Sequence, residues 1–236
     1  MKYLFAAVGI VSFMLLFLFI QLRYYIYISK NLIKKTVVFS NESSSTAQSL
    51  LILGDSTAYG VGAFQSEDSL PALVAFQMGA TYIENHGVSG AKIEDLHEQL
   101  QQIKKDNYNL ILIQIGANNI VARDSAEKES KKLEVEIKEL QKLSKRIIFL
   151  SAGNLGGAPA IPFLFRPYYR NLTLTYHKEF QALSDRIGII YVNLYEDPTV
   201  DPFVLQPQIY FAEDKFHPSS EGYKYWFSKV EKYLYP

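Results

Sequence analysis

A serine hydroxyl cleaves an ester only with help. A base must take its proton, a carboxylate must orient that base, and donors must receive the oxyanion. The chain offers residues for every part. Ser56 lies in L-L-I-L-G-D-S-T-A-Y-G-V-G, from Leu50 to Gly62. Gly90 closes G-V-S-G, Asn118 stands in G-A-N-N, and Asp214 and His217 bound D-K-F-H. Each also has a plainer use. Asp55 and Ser56 are favoured helix caps after a strand. His217 before Pro218 suits a cap on the last helix, while Asp214, Gly90 and Asn118 suit turns. Other chemistries fit worse. The Ser56 stretch lacks the G-K-[ST] ending of a phosphate loop and the spacing of G-x-G-x-x-G. It also fails the G-x-S-x-G pattern, because Ala58 holds the fifth position.

The elements around these residues must bring them together. Leu50 to Leu53 is a run of large aliphatics that reads as a strand buried on both faces. Segments near 80–84, 109–115, 146–150 and 187–194 read as four more strands. Helical patterns at 69–78, 93–103, 124–143, 171–186 and 219–234 separate them, and Asp124 with Glu127 resembles a capping box. Such alternation predicts a three-layer α/β/α fold on a five-stranded, parallel, doubly wound, flavodoxin-like sheet. A parallel sheet gathers the loops at its strands' carboxyl ends along one edge. Ser56 follows the first strand, Gly90 the second and Asn118 the third. Asp214 and His217 precede the last helix.

Taken in order, these four blocks resemble those of the SGNH, or GDSL, hydrolase family over roughly residues 50–236. The resemblance implies that Ser56 is the nucleophile, His217 the base and Asp214 its orienting carboxylate. It implies an oxyanion hole from the N–H groups of Ser56 and Gly90 and the side-chain amide of Asn118. The family's third block usually ends Asn-Asp, whereas this chain has Asn118-Asn119. The activity implied is that of a serine esterase of the lipase/esterase class working through an acyl-enzyme. Lysophospholipids, thioesters and acetylated sugars are all admissible. Acyl transfer to an alcohol would use the same residues, and a non-catalytic lipid- or glycan-binding module is the remaining reading. No metal or organic cofactor is implied.

Between Leu155 and Tyr169 the chain is rich in Pro and aromatic residues. A loop there suits a lid over the site, with Phe163 and Phe165 as expected substrate contacts. Glu94, His97 and Glu98 read as a solvated helix face, and His86 and His177 have no evident partners.

Leu4 to Leu22 is almost unbrokenly apolar and is followed by Tyr24, Tyr25 and Tyr27. This predicts an N-terminal transmembrane anchor over residues 1–28, a linker over 29–48 and a hydrolase domain over 49–236. No A-x-A-like cleavage site follows Leu22, which favours an anchor over a signal peptide. Arg23, Lys30, Lys34 and Lys35 follow the apolar run. They argue for a cytoplasmic domain, whereas the family resemblance implies an extracytoplasmic one. The 236 residues hold 24 basic and 24 acidic side chains, so nothing points to nucleic acid. The absence of cysteine excludes disulfides and thiolate chemistry.

Overall fold

The structure is a computed structural model that describes residues 1–43 and 47–234. In chain order the elements are α1 (Lys2–Lys35), β1 (Asn41–Glu42), β2 (Ser49–Gly54), α2 (Ser56–Tyr59), α3 (Leu70–Met78) and β3 (Tyr82–Asn85). Then come α4 (Leu96–Leu100), β4 (Leu110–Gln114), α5 (Ala117–Ala122), α6 (Ala126–Leu140), β5 (Ile147–Leu150) and α7 (Arg166–Ile187). The chain continues through β6 (Ile190–Val192), α8 (Pro202–Leu205), α9 (Pro207–Tyr210) and α10 (Ser220–Val230).

The sheet order is β1-β3-β2-β4-β5-β6. From β3 onward every pairing is parallel, and those five strands follow the expected doubly wound order. The sheet has one strand more than the five expected. The extra strand, β1, lies in the segment read as linker and pairs antiparallel with β3, Asn41 opposite Ile83. Two polar residues carry no alternating pattern, so a strand this short leaves no mark in sequence. The preceding helix also runs further than residue 28, to Lys35.

Side-chain alternation in the strands builds two cores. Leu51, Leu53, Ile111, Ile113 and Phe149 pack on one face against α6 and α7, through Leu133, Ile137, Tyr176 and Phe180. Leu50, Ile52, Leu110, Leu112 and Ile148 pack on the other against α3 and α10, through Leu70, Val74, Tyr223 and Trp226. Leu50 to Leu53 are wholly buried. Truncating any one of them to alanine costs about 2–5 kcal/mol by the usual scale for core leucine and isoleucine.

The helix expected over 124–143 is α6, shortened to Ala126–Leu140; α5 is an additional short helix ahead of it, and Asp124, between the two, caps neither. Ser125 stands at the start of α6 without a side-chain cap. Asp124 turns to Lys92 and Asn119. The expected long loop before 171 is shorter too, because α7 begins at Arg166 with Pro167 in its first turn.

Candidate active site

Two glycines allow the site loops to close. Gly54 ends β2 at φ +138°, and a Cβ there would stand 1.9 Å from the Gln114 carbonyl oxygen. Gly62, at φ +96°, lies against the segment that carries His217, where a Cβ would meet the Pro218 oxygen at 2.3 Å. Any other residue would push that segment away. Gln99 locks the end of β2: its amide oxygen accepts from Gly54 N–H at 2.8 Å and its amide nitrogen donates to Gly54 O at 2.9 Å. Sequence reasoning missed this residue. The signal was a glutamine on the stripe formed by Ile93, Leu96 and Leu100.

Asp55 caps α2, accepting from the backbone N–H and the hydroxyl of Thr57, both at 2.9 Å. Burial pushes the Asp55 carboxyl up to about 6, although these bonds, the His217 side chain and a bond from Ala117 pull it back. Ser56 therefore begins a short helix, facing inward.

The structure brings Ser56, His217 and Asp214 together. Ser56 Oγ lies 2.9 Å from His217 Nε2. His217 Nδ1 lies 2.5 Å from Asp214 Oδ2. The other carboxylate oxygen accepts from the backbone N–H groups of Phe216, at 3.1 Å, and His217, at 3.0 Å. Burial alone would raise the Asp214 pKa. The His217 side chain and these backbone donors outweigh it, so the carboxyl sits below its ordinary value. A carboxylate so held stays ionised and, by accepting from Nδ1, fixes the imidazole's orientation.

Asn118 reaches the loop that holds Gly90, and neither residue lines the cavity beside Ser56. Asn118 Nδ2 donates to Ala91 O at 2.9 Å, tying the turn after β4 to the loop that holds Gly90. An amide nitrogen has two N–H groups, so one remains for a ligand oxygen. Gly90 lies exposed with φ +90°.

Asn119 does different work. It is wholly buried; its oxygen accepts from Ile93 N–H at 3.0 Å, and its nitrogen donates to Glu129 at 2.8 Å and Asp124 at 3.2 Å. An aspartate there would set a carboxylate against buried Glu129. The departure from Asn-Asp is thus matched by Glu129, a coupling across ten positions that sequence inspection overlooked. Asn119→Asp is expected to cost about 1–3 kcal/mol, the range for an unsatisfied buried polar group. Adding Glu129→Gln is expected to restore most of the loss, as a urea-denaturation double-mutant cycle would read. Equal losses in the single and double variants would contradict the coupling.

Both histidines that lacked evident partners have them. His86 Nε2 meets Glu84 at 2.6 Å. His177 is buried, with Nε2 donating to Ala152 O at 3.0 Å and the Tyr191 hydroxyl on Nδ1. Burial pushes the His177 imidazole down to about 4, against the pull of the Ala152 carbonyl. As pH falls from about 6.5 toward 4, the unfolded chain takes up a proton that the folded protein refuses, so stability drops on acidification. His177→Phe is expected to flatten the change in urea midpoint between pH 7 and pH 5. An unchanged pH slope would assign the loss elsewhere.

Beside Ser56 and His217 lies a cavity of about 50 Å³. Its walls are mostly apolar and include Ala152, Leu155, Leu194, Phe203, Phe211 and Trp226. Asn154 and Ser151 also line it. Their side-chain polar atoms are buried without a hydrogen-bond partner among the described residues. Phe163 and Phe165 stand outside this wall, exposed on the turn before α7.

Residues 52–225 match the profile of the GDSL-like lipase/acylhydrolase family. The chain belongs to that family. GDSL-family membership makes it a serine ester hydrolase. Several solved structures share the fold. A member of the lipolytic G-D-S-L family from Veillonella parvula is 16% identical at a TM-score of 0.63, covering 79% of this chain and 97% of its own. An acetylxylan esterase from Geobacillus stearothermophilus is 17% identical at 0.59, covering 80% and 95%. A lipase/acylhydrolase from Enterococcus faecalis is 20% identical at 0.59, covering 79% and 95%. A search of curated proteins finds no match.

Proposed function

We propose that this GDSL hydrolase is a membrane-anchored esterase that removes short acyl groups through an acyl-enzyme. Ser56 Oγ attacks the ester carbonyl as His217 Nε2 takes its proton, with Asp214 holding Nδ1. The N–H groups of Ser56 and Gly90 and Nδ2 of Asn118 receive the oxyanion. His217 then protonates the alcohol, which leaves. Water, deprotonated by His217, releases the acid and restores Ser56. The hydrogen-bonded chain from Ser56 through His217 to Asp214, at 2.9 and 2.5 Å, carries this reading.

The cavity supports the short acyl group. It offers only about 50 Å³ beside Ser56, between mostly apolar walls. That suits acetyl to butyryl and favours acetylated sugars over lysophospholipids. The similarity to an acetylxylan esterase agrees with this class. The anchor reading rests on Val8–Lys35, a helical span long and apolar enough to cross a membrane or to act as a signal sequence.

A p-nitrophenyl ester panel on the full chain in detergent tests the reading, together with a fluorophosphonate label on Ser56. Labelling is expected, with kcat/KM highest at acetate to butyrate and at least tenfold lower at octanoate. Preference for octanoate or longer would overturn the short-acyl reading. Failure of Ser56 to label would overturn the nucleophile.

A further inference from the structure

We propose that the apolar rim around the active site rests on the bilayer that α1 enters, so the catalytic face looks onto the membrane surface. This rests on the anchor reading. The carboxyl-terminal end of α1 does not leave the domain at a neutral place. Leu32, Lys35 and Thr36 line one groove with Gly62 to Phe64 and with Gln208, Ile209 and Lys215. Those segments flank Ser56 and His217, so the membrane helix joins the domain beside the site.

Six exposed apolar side chains lie on segments at this same edge, apart from others on helix faces such as Phe76 and Val135. Phe64, 92% exposed, lies on the segment after β2. Phe163, 59% exposed, stands with Leu164 and Phe165 after β5, and Leu205 and Ile209 lie exposed after β6. All follow carboxyl ends of parallel strands, where the site is. Large exposed aromatics on neighbouring loops of one edge mark an interaction surface rather than ordinary scatter.

The adjoining helix identifies the occupant. Tyr24, Tyr25 and Tyr27 have the composition of a membrane–water interface. Thr36 lies nine residues beyond Tyr27, which is about 13.5 Å of helix at about 1.5 Å each. The domain is therefore held within a loop's reach of the headgroups. Lys30, Lys34 and Lys35 lie in that interval and suit anionic lipid.

The chain has no cysteine, so single probes can be placed cleanly. Phe64→Cys, Phe163→Cys and Ile209→Cys would each carry an environment-sensitive fluorophore. Val135→Cys, on the outer face of α6 and 61% exposed in the parent chain, is the control. Each full-length variant is reconstituted in phosphatidylcholine–phosphatidylglycerol vesicles containing headgroup- and shallow-acyl nitroxide lipids. Quenching at 64, 163 and 209 is expected to exceed that at 135 by at least threefold. Equal quenching at all four positions overturns the proposal, as does protection of the three rim probes by self-association of the chain without lipid. Vesicle flotation and hydrolysis of p-nitrophenyl acetate are measured on the same samples. An active, floating protein with unquenched rim probes refutes the rim alone, whereas loss of hydrolysis or flotation with the parent chain refutes the underlying reading.

Discussion

Ser56→Ala is expected to lower kcat/KM for p-nitrophenyl acetate by about 10⁴–10⁶-fold, as when a serine nucleophile is removed elsewhere. The fold should survive. The Ser56 hydroxyl bonds only to His217 Nε2 among the described residues, and Ser56 packs in a short helix that alanine also accepts. The melting temperature is therefore expected to stay within a few degrees of the parent, which separates loss of chemistry from loss of structure. His217→Ala is expected to lose nearly as much. The two effects should not add, because nucleophile and base act as one unit. Activity within tenfold of the parent in either variant would reject the assignment. A double variant much worse than both singles would mean that the two residues act separately.

Asn118→Ala is the second large effect expected, a fall in kcat of about 10²–10³-fold with KM little changed. The reason is timing. The ester oxygen moves and gains charge only as the carbon becomes tetrahedral, so a donor aimed at the later position stabilises the transition state more than bound substrate. The amide also ties Ala91 O to the turn after β4, so its loss frees the loop that presents Gly90. Both consequences weaken the oxyanion hole. Thermal melting distinguishes them from unfolding, and the contrast with Asn119 sharpens the test. Asn119 holds Ile93, Asp124 and Glu129 together in the interior, so its replacement should reduce stability more than kcat. If Asn119 controlled kcat and Asn118 did not, the donor would be the wrong amide.

Much of this architecture was legible in the residues themselves. Leu50 to Leu53 and Leu110 to Ile113 read as interior strands, because short runs of large aliphatics have no comfortable solvent face. Parallel strands then oblige their following loops to share an edge, which assigns Ser56, Gly90 and Asn118 to one end of the sheet. The segment D-K-F-H keeps Asp214 and His217 within one turn, so their contact is local. Tertiary structure decided what depends on distant partners. Asn119 sits beside Glu129 and Ile93, and no short-range pattern links these three. His177 looked idle because Tyr191 and Ala152 reach it only after α7 packs on the sheet. The cavity is walled from the segments after β5 and β6 and from Trp226 on α10, and its volume is what remains when those surfaces meet. The strand β1 exists because β3 offers an open edge, not because Asn41 and Glu42 favour one. Local sequence determined the strands, the turn glycines and the order of reactive residues, since each follows from steric and solvation preferences of near neighbours. Packing decided the partners of buried polar groups, the size of the acyl space and the face that α1 adjoins, since each is set by surfaces far apart in the chain.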